Sequence, residues 1–371
     1  MICPARPRIL FTWLSTARGG ADQTLADLAN AFVTSTSYLA EGVWWRFSTA
    51  APGPPDGTNV RWHLVTGPSA YMRSLAHLTT ASPAPTAVLS SHRTVAADLS
   101  IAVPRGIPVV AVVRGILVPG LPVRTVSADA GVFRSLPPED WNWDRLALAR
   151  WVGISAASAA SIRPFLRTGQ TVVAIPNGVD FSALPAVDND TVARVFVTLS
   201  RIVSWKRLDV VLEAWSRVPK LLASSALLQI MGSGADLASL RELAARSRNR
   251  GSIEFRGWQA NPADALARAS FLVSSSYLEG FGRAVVEAGA MGVPAIVPTR
   301  SGSAELIIPG RTGYVFDCHM GAEALTERMI DAMTLSQPDF QAMRCAASVH
   351  ARTFFTAAGS AARFANFIVA A

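Results

Sequence analysis

Two carboxylates stand eight residues apart in the segment FLVSSSYLEGFGRAVVEAGAMGVPAIVP, residues 271–298: Glu279 in a loop and Glu287 in a helical stretch. Between them Gly282 and Arg283 mark a helix start, whose exposed N–H groups and dipole attract a phosphate. Carboxylates at that spacing can hold sugar hydroxyls. Earlier in the chain, SRIVSWKRLD sends Arg201 and Lys206 off the end of an apolar run together. A guanidinium and an ammonium on one loop neutralise a pyrophosphate and the charge that develops as it leaves; a solvated basic loop with no ligand is the competing account. Lys206 gains weight because the chain has only one other lysine, Lys220.

Side chains of this kind act at the carboxyl ends of parallel strands, where loops lead into helix N-termini. Apolar runs alternate with helical periods in both halves, as parallel sheets covered by helices require. Strands are expected at 8–14, 60–65, 87–90, 108–113, 151–154 and 171–175, then at 195–199, 226–231, 253–255, 271–274, 294–297 and 314–316. The fold class expected is α/β, with two doubly wound Rossmann-like domains. The stretch PNGVDFSALPAVDND, 176–190, is turn-rich and reads as their connection, and the tail from residue 338 is helical in pattern.

Other strand ends carry further candidates. Gly232 and Gly234 would let a backbone or a ligand approach closely. Trp258 offers a wall for a nucleobase, or is simply core. Gly19 and Gly20 lie between the first strand and its helix, where bare backbone suits phosphate or sugar, as it also suits an ordinary tight turn. His92 follows a strand and could contact either substrate. Trp141 and Trp143, near Glu139 and Asp140, suit the C–H faces of a sugar or an amino-bearing acceptor, or anchor the helix that follows. Trp44 and Trp45 carry the same ambiguity, with membrane-surface contact as a further option.

The ordered set of Arg201 and Lys206 five apart, Gly232-x-Gly234, Glu279-Gly-Phe-Gly with Glu287, and Gly292-x-Pro294 resembles the retaining glycosyltransferases of family 4, which have the two-domain GT-B fold. Ile175-Pro-Asn-Gly-Val-Asp180 resembles the family's interdomain segment, and STARGGAD, 15–22, its first N-terminal loop. The resemblance implies a cleft between an N-terminal acceptor domain, 1–176 plus about 350–371, and a C-terminal nucleotide-sugar domain, 193–349, joined by 177–192, with a C-terminal helix crossing back to the first. It implies that Arg201 and Lys206 bind the diphosphate of a UDP- or GDP-linked sugar, aided by amides at Gly282 and Arg283. Glu279 would then hold the sugar and Glu287 the ribose, with Gly20, Gly232, Gly234, Trp258 and Phe281 also on the donor side. Acceptor or sugar contacts fall to Gly19, His92, Arg114, Trp141 and Trp143. Arg114 departs from the family, which often has a histidine there; an anionic group on sugar or acceptor is the expected partner.

Composition excludes other classes. With 371 residues, 50% hydrophobic content and a net charge of +8, the chain is a folded protein of about two domains. No apolar run approaches the ~20 residues of a membrane span. The arginines are scattered without a nucleic-acid module, so no nucleic-acid partner is expected. Cys3, Cys318 and Cys345 suggest neither a disulfide framework nor a zinc site. No metal or other cofactor is expected, Asp188-Asn189-Asp190 reading as linker. The expected location is cytoplasmic, with peripheral contact at the inner face of the membrane as an option. An epimerase, a phosphorylase or a non-catalytic nucleotide-binding protein on the same scaffold remains the alternative.

Overall fold

The structure, a computed structural model, describes residues 6–15, 20–46, 53–54, 59–91, 106–121, 123–126, 133–136, 138–141, 143–146, 148–185 and 194–370. The chain divides into two compact units, 1–179 with 357–371, and 180–356. The return to the first unit thus falls at Ala357, after the long helix Gln337–Phe354 has been completed within the second.

In unit 1 the strands β1 (Arg8–Ser15), β2 (Leu39–Arg46), β3 (Arg61–Thr66), β4 (Ala87–Ser91), β5 (Val109–Val113), β8 (Ala149–Gly153) and β9 (Val172–Ala174) form one parallel sheet in the order β3-β2-β1-β4-β5-β8-β9. Its helices include α1 (Gly20–Ser35), α2 (Pro68–Thr80), α3 (Trp143–Leu146) and α4 (Ala156–Ile162). The strand order reverses beside β1, the arrangement that places loops β1–α1 and β4 onward at a switch point. Ser155 caps α4, accepting from Ser158 N at 2.9 Å, while Ser158 Oγ donates to Val113 O and Gly115 O, tying the helix start to the end of β5.

Three strands of this unit escape the periodicity reading. In β2, Glu41 and Gly42 interrupt the apolar run. The structure satisfies Glu41 between Arg8 Nη1, at 2.6 Å, and His63 Nε2, at 2.7 Å. Burial alone would raise its pKa, but the bonds to His63 and Arg8 outweigh that and lower it. Gly42 leaves the space that the ring of Trp62 occupies. Trp44 is fully buried and meets Trp62 edge to face, centroids 5.3 Å apart, so it is core and not a membrane contact; the side chain of Trp45 lies outside the described residues. The other two strands, β6 (Val123–Val126) and β7 (Phe133–Leu136), make an antiparallel pair between the strands expected at 108–113 and 151–154, where none is expected.

Unit 2 follows its expected pattern strand by strand. Its β10 (Arg194–Leu199), β11 (Ala226–Met231), β12 (Ile253–Gly257), β13 (Phe271–Val273), β14 (Ala295–Pro298) and β15 (Gly313–Phe316) give a parallel sheet ordered β12-β11-β10-β13-β14-β15. Around it lie α5 (Leu208–Arg217), α6 (Lys220–Ser224), α7 (Leu237–Ala245), α8 (Pro262–Leu266), α9 (Arg283–Ala290), α10 (Ala322–Thr334) and α11 (Gln337–Phe354). Phe196, Phe271, Phe340 and Trp215 are all fully buried at the centre of its core. Helix α5 presents Val211, Leu212 and Trp215 to that core and charged residues to water, the one-sided pattern of a sheet-covering helix. The last helix, α12 (Ala357–Val369), rejoins unit 1 and packs on α1. Among the described residues no helix is long and apolar enough to cross a membrane.

Candidate functional site

At the carboxyl end of β10 the chain turns through Ser204–Lys206 as one 3-10 turn and reaches α5 through Arg207, whose φ of 50° lies in the left-handed region. A non-glycine residue holds that conformation only when its surroundings fix it. Here Ser275 Oγ lies 2.8 Å from both Lys206 O and Arg207 O, and Ser276 Oγ donates to Trp205 O at 3.2 Å. Both serines are buried at the end of β13. The triple serine 274–276 after an apolar strand is the sequence signal for this anchor, one of composition only.

The turn presents two cations. Arg201 is exposed, its guanidinium 5.4 Å from the ring of Trp205. Lys206 Nζ pairs with Glu279 Oε2 at 2.5 Å, each side chain about a fifth exposed. The two residues singled out 73 positions apart therefore meet beyond adjacent strands.

Gly232 and Gly234, both expected on the donor side, have another occupant. A Cβ on Gly232 would lie 1.8 Å from Ser200 O, and one on Gly234 2.0 Å from Ile202 O. With φ at 140°, Gly232 also has a conformation that side chains disfavour. The close neighbour is the chain's own backbone: Ile202 N donates to Ser233 O at 2.8 Å, locking the loop that carries Arg201. These glycines shape the site from behind.

Helix α9 begins at Gly282, φ 99°, against Ser303. Gly302 N donates to Glu279 O at 2.7 Å, so the loop after β14 fixes the backbone that carries the carboxylate. One turn into the helix, Glu287 is buried and accepts from Arg283 Nε at 2.7 Å. The opposite end of α9 is closed by α11: Arg352 Nε and Ser348 Oγ donate to Ala290 O, and Arg344 Nε to Gly292 O at 3.0 Å. Cations at the C-terminus and open amides at the N-terminus both favour an anion at Gly282 and Arg283.

Phe281 departs from expectation: it is buried and meets Phe355 edge to face at 6.1 Å, so it anchors the loop and does not line a donor surface. Trp258, by contrast, is 68% exposed just past β12. Gly20 is the first residue of α1, whereas Gly19 and His92 lie outside the described residues.

In unit 1 the tryptophans are core. Trp141 and Trp143 are buried and stacked, centroids 5.6 Å apart, with Trp143 stacked in turn on Phe165 and its Nε1 donating to Pro138 O at 2.7 Å. Trp143 is held on both faces and Trp141 is buried against it, so neither offers the open ring face that the expected sugar contact needs, and the pair anchors the segment instead. Arg114 leaves β5 with its guanidinium 5.1 Å from the Trp13 ring, and Trp13 Nε1 donates to Asp22 Oδ1 at 2.6 Å. Burial pushes the Arg114 pKa down to about 10, the Asp22 charge pulling it back up. Its opposing charge thus comes from this unit's own helix start.

For a metal, the linker acids Asp188 and Asp190 lie outside the described residues. Asp317, Cys318 and His319 bring their ligand atoms within 4.8 Å of one another, but Asp317 Oδ1 already accepts from His319 N at 2.9 Å, which accounts for the proximity.

Residues 185–347 match the family model described as Glycosyl transferases group 1. Among curated proteins, the chain is 29% identical over 166 residues to the poly(glycerol-phosphate) alpha-glucosyltransferase of Bacillus subtilis, covering 44% of this chain and 24% of that one. It is 34% identical over 141 residues to a D-inositol 3-phosphate glycosyltransferase of Streptomyces scabiei, covering 36% and 31%. The chain thus spans about a quarter to a third of the length of these relatives. The structure of Anabaena HepE in complex with UDP and glucose superposes with a TM-score of 0.75 at 17% identity, over 98% of this chain and 100% of that one. Sucrose-phosphate synthase from Thermosynechococcus elongatus gives 0.76 at 14% identity, over 98% and 99%. Both have the GT-B fold of two Rossmann-like domains, as this chain does.

Proposed function

We propose, from the premise that residues 185–347 belong to the glycosyl transferases group 1 family and that the chain has the GT-B fold, that this protein is a retaining glycosyltransferase of the family 4 type. It moves a hexosyl group from a UDP- or GDP-linked sugar to a small-molecule, lipid-linked or glycan acceptor. The observation that carries this reading is the meeting of Lys206 with Glu279 beside the start of α9. One strand end then offers a cation for phosphate and a carboxylate for sugar hydroxyls.

In this reading Arg201, Lys206 and the first-turn amides of α9 hold the diphosphate and stabilise it as a leaving group. Glu279 orients the sugar through its hydroxyls. Glu287, held by Arg283, takes the ribose, and the exposed ring of Trp258 offers its face to the base. The bond from C1 to the phosphate oxygen breaks while the acceptor oxygen bonds C1 on the same face, and the acceptor proton passes to the departing phosphate. No protein nucleophile and no metal is needed for that step. Unit 1 takes the acceptor. The UDP held by HepE supports the donor class.

A thermal-shift series with UDP-, GDP- and ADP-linked sugars tests it first, since a ligand that binds only the folded state raises Tm. One base should raise Tm, and Arg201→Ala with Lys206→Ala should abolish the rise. Absence of any nucleotide-sugar shift would sink the donor assignment, turnover without acceptor would replace transfer by epimerisation, and a glycosyl adduct trapped on Glu279 would replace the same-face step. Loss of turnover in EDTA would overturn metal independence.

A further inference from the structure

Unit 2 carries a second cationic surface, which the donor-end loops do not use. Residues 217–250 hold six Lys and Arg against two Asp and Glu, a net of four charges in 34 residues and half the total of the chain. Three of them, Arg246, Arg248 and Arg250, alternate with Ser247 and Asn249, which are buried. The alternation is built. Asn249 Nδ2 donates to Trp215 O at 2.7 Å and to Val218 O at 2.9 Å, Arg248 N donates to Ser216 Oγ at 3.3 Å, and Trp215 Nε1 donates to Ser252 Oγ at 3.1 Å. This fixes the segment to the end of α5 and leaves every second side chain pointing to water. None of the three arginines forms an ion pair or hydrogen bond through its side chain among the described residues.

Beside them, α6 packs against the turn Arg250–Ser252 and presents Lys220 together with Leu221, which at 83% is the most exposed large apolar side chain among the described residues. Helix α7 adds exposed Arg241 and Leu243 immediately upstream. The segment precedes β12, so the surface lies at the amino-terminal end of the sheet, opposite Lys206 and Glu279.

We propose that this surface docks the protein on an anionic lipid bilayer, the arginines and Lys220 meeting headgroup phosphates and Leu221 entering the acyl boundary. An aliphatic tip ringed by cations suits a bilayer interface. A nucleic acid would call instead for aromatic faces among the cations, on which bases stack, and the exposed apolar side chains here are leucines.

Co-sedimentation of the full chain with vesicles of phosphatidylcholine alone, or with 30% phosphatidylglycerol, tests the idea. Binding to the anionic vesicles should exceed that to neutral ones by at least about a hundredfold and fall as salt is raised. Each cation near an anionic surface contributes about fivefold, so Arg246→Ala/Arg248→Ala/Arg250→Ala should lose about a hundredfold. Leu221→Ser should lose severalfold on anionic vesicles at every salt concentration. Both variants should keep the wild-type Tm, the check that folding is intact. Equal partition onto neutral vesicles, no binding to anionic ones, a triple variant that binds undiminished, or tighter binding to single-stranded nucleic acid than to the vesicles would each overturn the assignment.

Discussion

Beyond the sheet of unit 2, Lys206 and Glu279 meet as a partly exposed ion pair, whereas the corresponding end of unit 1 holds Arg114 over Trp13, with Asp22 bonded to that same ring. The first arrangement keeps charge within reach of water and of a ligand; the second encloses it in aromatic surface. With about a fifth of each side chain open to water, the first pair can exchange a partner for a ligand of the same charge, while an arginine packed on an indole is held by burial as well as by charge. One unit is therefore equipped to exchange a side-chain partner for a ligand, and the other to keep its shape.

The contrast can be broken or sharpened by substitution. Trp143→Ala, in the stacked core of unit 1, should have the largest effect: removal of a buried tryptophan costs about 3–5 kcal/mol. Urea unfolding should show that loss, while residual nucleotide binding by the folded fraction should be unchanged. Lys206→Ala should lower kcat/KM about 10²–10³-fold, the scale of a lost charge-stabilising donor, with a urea midpoint close to wild type; equal damage to stability and rate would erase the distinction drawn above. Gly232→Ala places a methyl group against Ser200 O and should cost about 2–3 kcal/mol, with part of the loss appearing in donor affinity because the loop carrying Arg201 shifts.

The smallest effect concerns pH. His350 Nε2 is buried with no partner among the described residues, and its ring meets Phe354 and Phe355. Burial pushes its pKa down, the backbone bond at Leu306 opposes this, and Arg311 adds to the lowering. A base whose pKa is depressed by folding binds fewer protons in the folded state, so stability falls as pH drops through the unfolded value of about 6.5. His350→Gln should flatten that part of the Tm profile between about pH 7 and 5; an unchanged slope would assign the effect elsewhere.

Unit 2 was the more legible half of the sequence. Its strands are short, largely apolar runs, such as Ala226–Met231, in which Gln229 alone is polar and whose expected limits are those observed. Its charged residues stand out against a chain poor in lysine, and they lie where strands end. In unit 1, β2 was missed because Glu41 and Gly42 break its run, and only the folded neighbours Arg8, His63 and Trp62 explain why those residues belong there. The tryptophans misled for a related reason. An indole suits a sugar or a core equally well, and Phe165, Trp151 and Pro138, which decide between them at Trp143, come from separate positions in the chain. Gly232 and Gly234 announced a close approach without saying of what. Ser275 and Ser276 gave a signal of composition only; their partners lie about 70 residues upstream.

The membership of α12 in unit 1 has a consequence for synthesis. Ala357 N donates to Val179 O, Ser360 Oγ to Pro176 O, and Arg150 Nη2 to Phe367 O, its guanidinium 3.9 Å from that ring. On the ribosome, the unit begun first is thus completed last. At about 5–20 residues per second, the 177 residues of unit 2 delay its closing helix by roughly 10–35 s. Through that interval the surface of α1 that receives α12 stays uncovered. A nascent chain released at Thr356 should be cleaved by protease within 6–179, whereas one carrying 357–369 should resist; equal resistance would mean that unit 1 closes without its final helix.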